Sequence, residues 1–169
     1  MRRVALIVVG ALLLACCNVR VSTDPFTNTT SQHRTQVEPD TFSFGSTIVS
    51  AFQSGRFFDG GASDIGWATS TDGGSHWTHG FLPGLTKYQG AGPYDRASDP
   101  SVAYDRRHNV WLISSLALLA SDPAGVVVSR SSDGLAWGKP AVVASGTGNY
   151  KPESGGDGPA ELRCRDRRQ

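Results

Sequence analysis

The sequence predicts an all-β fold, a partial β-propeller of about two four-stranded antiparallel blades, with a signal helix in front and a disordered tail behind. Three observations predict it. Short runs with period-2 character alternate with Gly, Asp and Ser turns. The chain matches itself at a spacing of 61 residues: Pro39 with Pro100, Ser70 with Ser131, Asp72 with Asp133. Outside the leader, no stretch carries an amphipathic helical period. Repeated units of this length with three or four strands are propeller blades.

Composition narrows the class. Twenty glycines and nine prolines in 169 residues supply many turns, and 38% hydrophobic residues allow a modest core. Charged residues are 18% and the net charge is +1, so neither nucleic acid nor a membrane surface is an expected partner. Membrane contact is expected only through the leader or a lipid.

Residues 1–17 read as that leader. Arg2 and Arg3 precede the apolar run "VALIVVGALLLACC", which is short for the roughly 20 residues of a membrane span. "LLAC" resembles a bacterial lipobox and makes Cys16 the lipidation candidate; free secretion is the alternative. Cys16 and Cys17 lie in the leader and Cys164 in the tail, so the exported body holds no disulfide pair. Residues 18–36 are polar and turn-rich and read as a linker or arm, with a sequon at Asn28.

The first unit spans 37–97 and the second 98–144. In each, a β-rich run ("STIVSAF", "VWLISSL") is followed by a second ("IGWATS", "VVVSRS") that enters an aspartate cluster, and by a third ("HWTHGF", "AWGKPAVVA"). From 145 to 169 the strand period stops. That stretch reads as a disordered end or as the product of a shifted frame near Tyr150. Two blades alone leave apolar faces open, so self-association through those faces is expected.

The cluster itself is Ser70-x-Asp72-x-Gly74-x-x-Trp77, and its second copy is Ser131-x-Asp133-Gly134-x-x-Trp137, one residue shorter. Aspartate in a tight turn accepts nearby backbone N–H groups, glycine supplies positive φ, and the indole packs between sheets. This makes the cluster a folding device. His76 and His79 share an H-x-x-H spacing, but three residues along a strand turn side chains to opposite faces, so no metal site is expected. Nor does any motif call for a cofactor.

The Ser-x-Asp-x-Gly-x-x-Trp pattern resembles the Asp box of sialidases and related propellers. The resemblance covers roughly residues 37 to 144 and implies a six-bladed parent in which the boxes turn the third strand into the fourth, away from the active face. In "SGRFFDGGASDIGWATSTDGG" it puts Asp59 in the place of the acid/base group and Arg56 in that of a substrate contact, with Asp64 as a second choice. "DPSVAYD" is similar to the opening of the second sialidase blade. The implied chemistry is retaining glycoside cleavage through a tyrosine, with arginines on the sugar carboxylate. Where sialidases begin with Arg-Ile-Pro, this chain has "VEPD", with Glu38 and Asp40 about Pro39, and the tyrosine nucleophile and arginine triad are lacking.

The expected function is therefore that of an exported sialidase-like glycoside hydrolase fragment, itself inactive, whose partner is a sialoglycan or other carbohydrate. One alternative is a non-catalytic Asp-box propeller that binds glycan or protein at the cell surface. Another is a different Asp-box glycoside hydrolase with paired carboxylates near 38 to 64.

Overall fold

The computed structural model describes residues 19–145. Among them every regular element is a strand: β1 (Gln32–Phe44), β2 (Thr47–Arg56), β3 (Ala62–Ser70), β4 (Thr78–Phe81), β5 (Arg96–Asp105), β6 (Val110–Leu119), β7 (Asp122–Ser131) and β8 (Ala141–Ser145). Two antiparallel meanders, β1-β2-β3-β4 and β5-β6-β7-β8, are joined by a single pairing of Ala62 in β3 with Ala97 in β5. The fold is thus all-β, two four-stranded units of propeller type. The leader with its signal helix, Cys16 and the tail beyond Ser145 lie outside the described residues.

The duplication extends to irregularities. β1 shifts register between Val37 and Asp40, and β5 between Ser98 and Ser101, again 61 residues apart. Each shift holds a left-handed residue before a proline: Glu38 (φ 53) and Asp99 (φ 48). Positive φ is uncommon for residues with a Cβ, so an equivalent pair marks one bulge built twice.

β1 begins at Gln32, inside the stretch that reads as an arm. Its strand character is hidden in sequence because Arg34 (φ 57) and Glu38 break the alternation with bulges. The rest of the arm is tied down. Asp24 accepts the backbone N–H groups of Phe26 (3.0 Å) and Arg34 (2.6 Å), and the Phe26 ring meets Phe81 edge-on at 4.9 Å. β5 likewise starts at Arg96, two residues ahead of the expected second unit.

The core lies between the units. Val49, Ala51, Ile65 and Trp67 of the first meet Val102, Trp111, Ile113, Val127 and Trp137 of the second. β3 is buried along its whole length, which explains its small residues. At Gly66 the Phe52 ring covers the backbone so closely that a Cβ would lie 2.3 Å from Phe52 Cε2. β8, by contrast, is exposed throughout, with Val142 and Val143 more than half in solvent. The antiparallel order sorts the connections to two ends. The β1–β2, β3–β4, β5–β6 and β7–β8 turns share one end. The β2–β3 loop (57–61), the β4–β5 connection (82–95) and the β6–β7 turn share the other.

Candidate functional site

Both serine–aspartate turns lie at the first end, between the third and fourth strands of their units. In the first, Ser70 Oγ donates to Asp72 Oδ1 (2.8 Å) and accepts from Gly74 N (2.8 Å). Asp72 also accepts His76 N (2.9 Å) and contacts His76 Nδ1 (2.6 Å), and Trp77 Nε1 donates to Gly74 O (2.9 Å). In the second, Ser131 Oγ donates to Asp133 Oδ1 (2.9 Å) and accepts from Gly134 N (2.8 Å). Asp133 accepts Leu135 N (2.8 Å) and Ala136 N (2.9 Å), and Trp137 Nε1 donates to Gly134 O (3.1 Å). Every polar contact of these carboxylates closes its own turn. Backbone N–H donors hold both carboxyls below the ordinary carboxylate range, His76 N first for Asp72 and Ala136 N first for Asp133. Such groups shape turns and have no proton to give near neutrality.

At the opposite end the β2–β3 loop brings Asp59 to Arg96, the first residue of β5. Arg96 Nη1 lies 2.5 Å from Asp59 Oδ1 and donates to Gly60 O at 2.9 Å. Its guanidinium stacks over the Phe57 ring at 4.2 Å. Next to it, Lys87 pairs with Asp95 at 2.8 Å and sits over the Tyr88 ring, while Asp95 also accepts Ala120 N at 2.7 Å. Of these groups, Phe57, Lys87, Tyr88, Asp95 and Arg96, with Thr30, line an open depression of about 250 Å³. The Arg96 contact holds the Asp59 carboxyl below its ordinary range. An acid that protonates a leaving group needs a pKa near the working pH, so Asp59 as placed is an acceptor and not a proton donor.

The other sequence candidates are dispersed. Arg56 ends β2 half-buried, and among the described residues no ion pair joins it to Asp59. Asp40 crosses to the second unit, accepting Val102 N (2.7 Å) and Ser101 Oγ (3.0 Å). Glu38 accepts from Gln53 Nε2. Asp64 is fully buried, accepts Ile65 N at 2.7 Å and lies 3.3 Å from Thr86 Oγ1. The carboxylates from 38 to 64 are thereby committed to separate structural contacts, not paired across one cleft. No motif in the sequence singles out Arg96, Lys87, Tyr88 or Asp95. Asp95 and Arg96 lie in the turn-rich "GPYDRASDP" and Lys87 and Tyr88 lie outside it, and the contact between Asp59 and Arg96 spans 37 residues.

Among the described residues, no helix is long and apolar enough to cross a membrane, and no group of three His, Cys, Asp or Glu is placed to hold a metal ion. The fold and its turns define the class, an all-β assembly of propeller type locked by serine–aspartate turns. No family model matches the chain, and no curated protein matches it. Solved structures of similar shape include three glycoside hydrolases. An exo-β-1,3-galactanase from Phanerochaete chrysosporium, bound to β-1,3-galactotriose, is 13% identical with a TM-score of 0.43, over 73% of this chain and 29% of its own. The catalytic domain of a GH62 α-L-arabinofuranosidase from Coprinopsis cinerea is 12% identical with a TM-score of 0.43, over 73% and 36%. A GH43 β-1,3-galactosidase is 14% identical with a TM-score of 0.45, over 74% and 37%. The chain thus spans between 29% and 37% of their length.

Proposed function

We propose that this chain forms two blades of an exported, propeller-type glycoside hydrolase or glycan-binding protein, and that it engages carbohydrate at the end opposite the serine–aspartate turns without cleaving it. The observation that carries this is the Arg96–Asp59 pair. It presents a fixed, ionised carboxylate beside an open, aromatic-sided depression, a combination suited to hydrogen-bonding sugar hydroxyls and unsuited to acid catalysis. The basic, apolar leader supports export, either freely secreted or anchored through Cys16.

Sialoside hydrolysis by a six-bladed parent is the second reading, favoured by the order Arg56, Asp59 and the Ser70 turn. In that reading Asp59 leaves Arg96 and takes up a proton when substrate enters. A fluorogenic sialoside offered to the full chain, together with a glycan array, separates the two. Binding without turnover supports the first reading, and turnover lost in Asp59→Asn supports the second. Absence of any glycan binding overturns the first reading, and binding of neutral glycans without sialoside binding overturns the second.

A further inference from the structure

The tip of the β2–β3 loop presents two adjacent phenylalanines in opposite ways. Phe57 is 5% exposed and Phe58 is 91% exposed. The loop enforces the difference. Phe57 N donates to Gly61 O at 2.9 Å, Gly60 and Gly61 take φ values of 110 and 72, and Arg96 caps the inward ring. A single exposed ring is weak evidence by itself. Here it stands next to polar groups that are already fixed. Asp59, the next residue, has one carboxylate oxygen on Arg96, and Arg96 is in turn held on Gly60 O.

The four charged groups about the depression are matched in pairs. Arg96 is spent on Asp59 and Lys87 on Asp95, at 2.5 and 2.8 Å. An incoming carboxylate finds two fixed carboxylates and no unmatched cation among these four residues. A hydroxyl finds an acceptor in each carboxylate and donors in the ammonium and guanidinium N–H groups, at positions that need no rearrangement. A flat C–H face of a pyranose fits an outward phenyl ring, because both surfaces are apolar and rigid.

Building on the carbohydrate reading above, we infer that the tip formed by Phe58, Asp59 and Arg96 binds an uncharged, hydroxyl-rich sugar residue, with Phe58 stacking on its C–H face and Asp59 accepting a hydroxyl. The Arg96–Asp59 pair then acts as a filter against acidic sugars.

The test uses the full chain on an array of neutral glycans and of the same backbones bearing sialic or uronic acid, followed by titration calorimetry with the best-bound neutral oligosaccharide. Neutral glycans bind and their acidic counterparts bind at least tenfold more weakly. Phe58→Ala lowers affinity about tenfold or more, Phe58→Trp keeps it, and both melt at the wild-type temperature because the ring packs on nothing in the fold. Preferential binding of acidic glycans overturns the inference and leaves the carbohydrate reading standing. Unchanged affinity in Phe58→Ala removes the ring from the site. Failure to bind any glycan overturns the inference and the carbohydrate reading together.

Discussion

The two serine–aspartate turns share their serine, glycine and indole hydrogen bonds and carry different weights. The second is wedged against the first unit. Trp137 is 9% exposed and its ring lies 6.4 Å from that of Trp67, and Gly134 O accepts Thr69 Oγ1 at 2.6 Å. The first turn closes in the same way, but Trp77 is only half-buried and Asp72 spends a second oxygen on the exposed His76 side chain. A local motif therefore defines a turn, and its neighbour across the core sets how much stability the turn contributes. The shared bond from Thr69 makes the second turn part of the contact between units.

The sharpest way to break this comparison is to truncate each indole. Trp137→Ala should cost about 3–5 kcal/mol, the usual range for a large aromatic removed from a packed core. Trp77→Ala should cost about 1–2 kcal/mol, scaled to its partial burial. Equal losses in chemical denaturation would show that the turns carry equal weight.

The glycines come next. Gly134 has φ 76, and a Cβ there would lie 3.0 Å from Val49 Cγ2, whereas at Gly74 (φ 99) the nearest atom is Ile48 Cδ1 at 3.8 Å. Alanine at Gly134 should cost about 2–4 kcal/mol from strain plus crowding, and at Gly74 only the strain, about 1–2 kcal/mol. Thermal melting of the two variants checks the order.

Asp64 supplies a pH test of the core between the units. Thr86 Oγ1 lies 2.5 Å from Ser63 O, so its one hydrogen goes there, and the contact at 3.3 Å is satisfied only if Asp64 carries a proton. Burial pushes this carboxyl well above its ordinary value of 3.8. A raised acid contributes stability that is fully present below 3.8 and is lost as pH rises through the folded value. Asp64→Asn keeps the shape and donates to Thr86. Its stability should hold as pH rises above 4, where wild type falls, and parallel curves in urea would refute the protonated state.

The smallest effects belong to the turn carboxylates. Asp72 and Asp133 are depressed, so their contribution is present above 3.8 and is lost as pH falls toward the lowered folded values. Asp133→Ala should lower the melting temperature slightly more than Asp72→Ala at pH 7. The gap between each variant and wild type should shrink below pH 3.

The strands were readable because alternation and turn residues are local. "STIVSAF" became β2, "VWLISSL" became β6, and the Pro39 and Pro100 spacing marked the repeat. β1 was only half readable, since its bulges scramble the alternation over residues 32–36. The depression at the far end was not readable, since Phe57, Lys87, Tyr88 and Arg96 come from a loop, a long connection and a strand start.

By itself the sequence determined what a few adjacent residues can settle: strands, two serine–aspartate turns and their repeat. Only the tertiary structure decided that Trp137 is buried and Trp77 half-buried, that Arg96 takes Asp59, and that Asp64 is sealed from water. The reason is reach. A turn satisfies its hydrogen bonds within about seven residues, whereas burial and ion pairing depend on which distant surface arrives, and spacing along the chain carries no record of that.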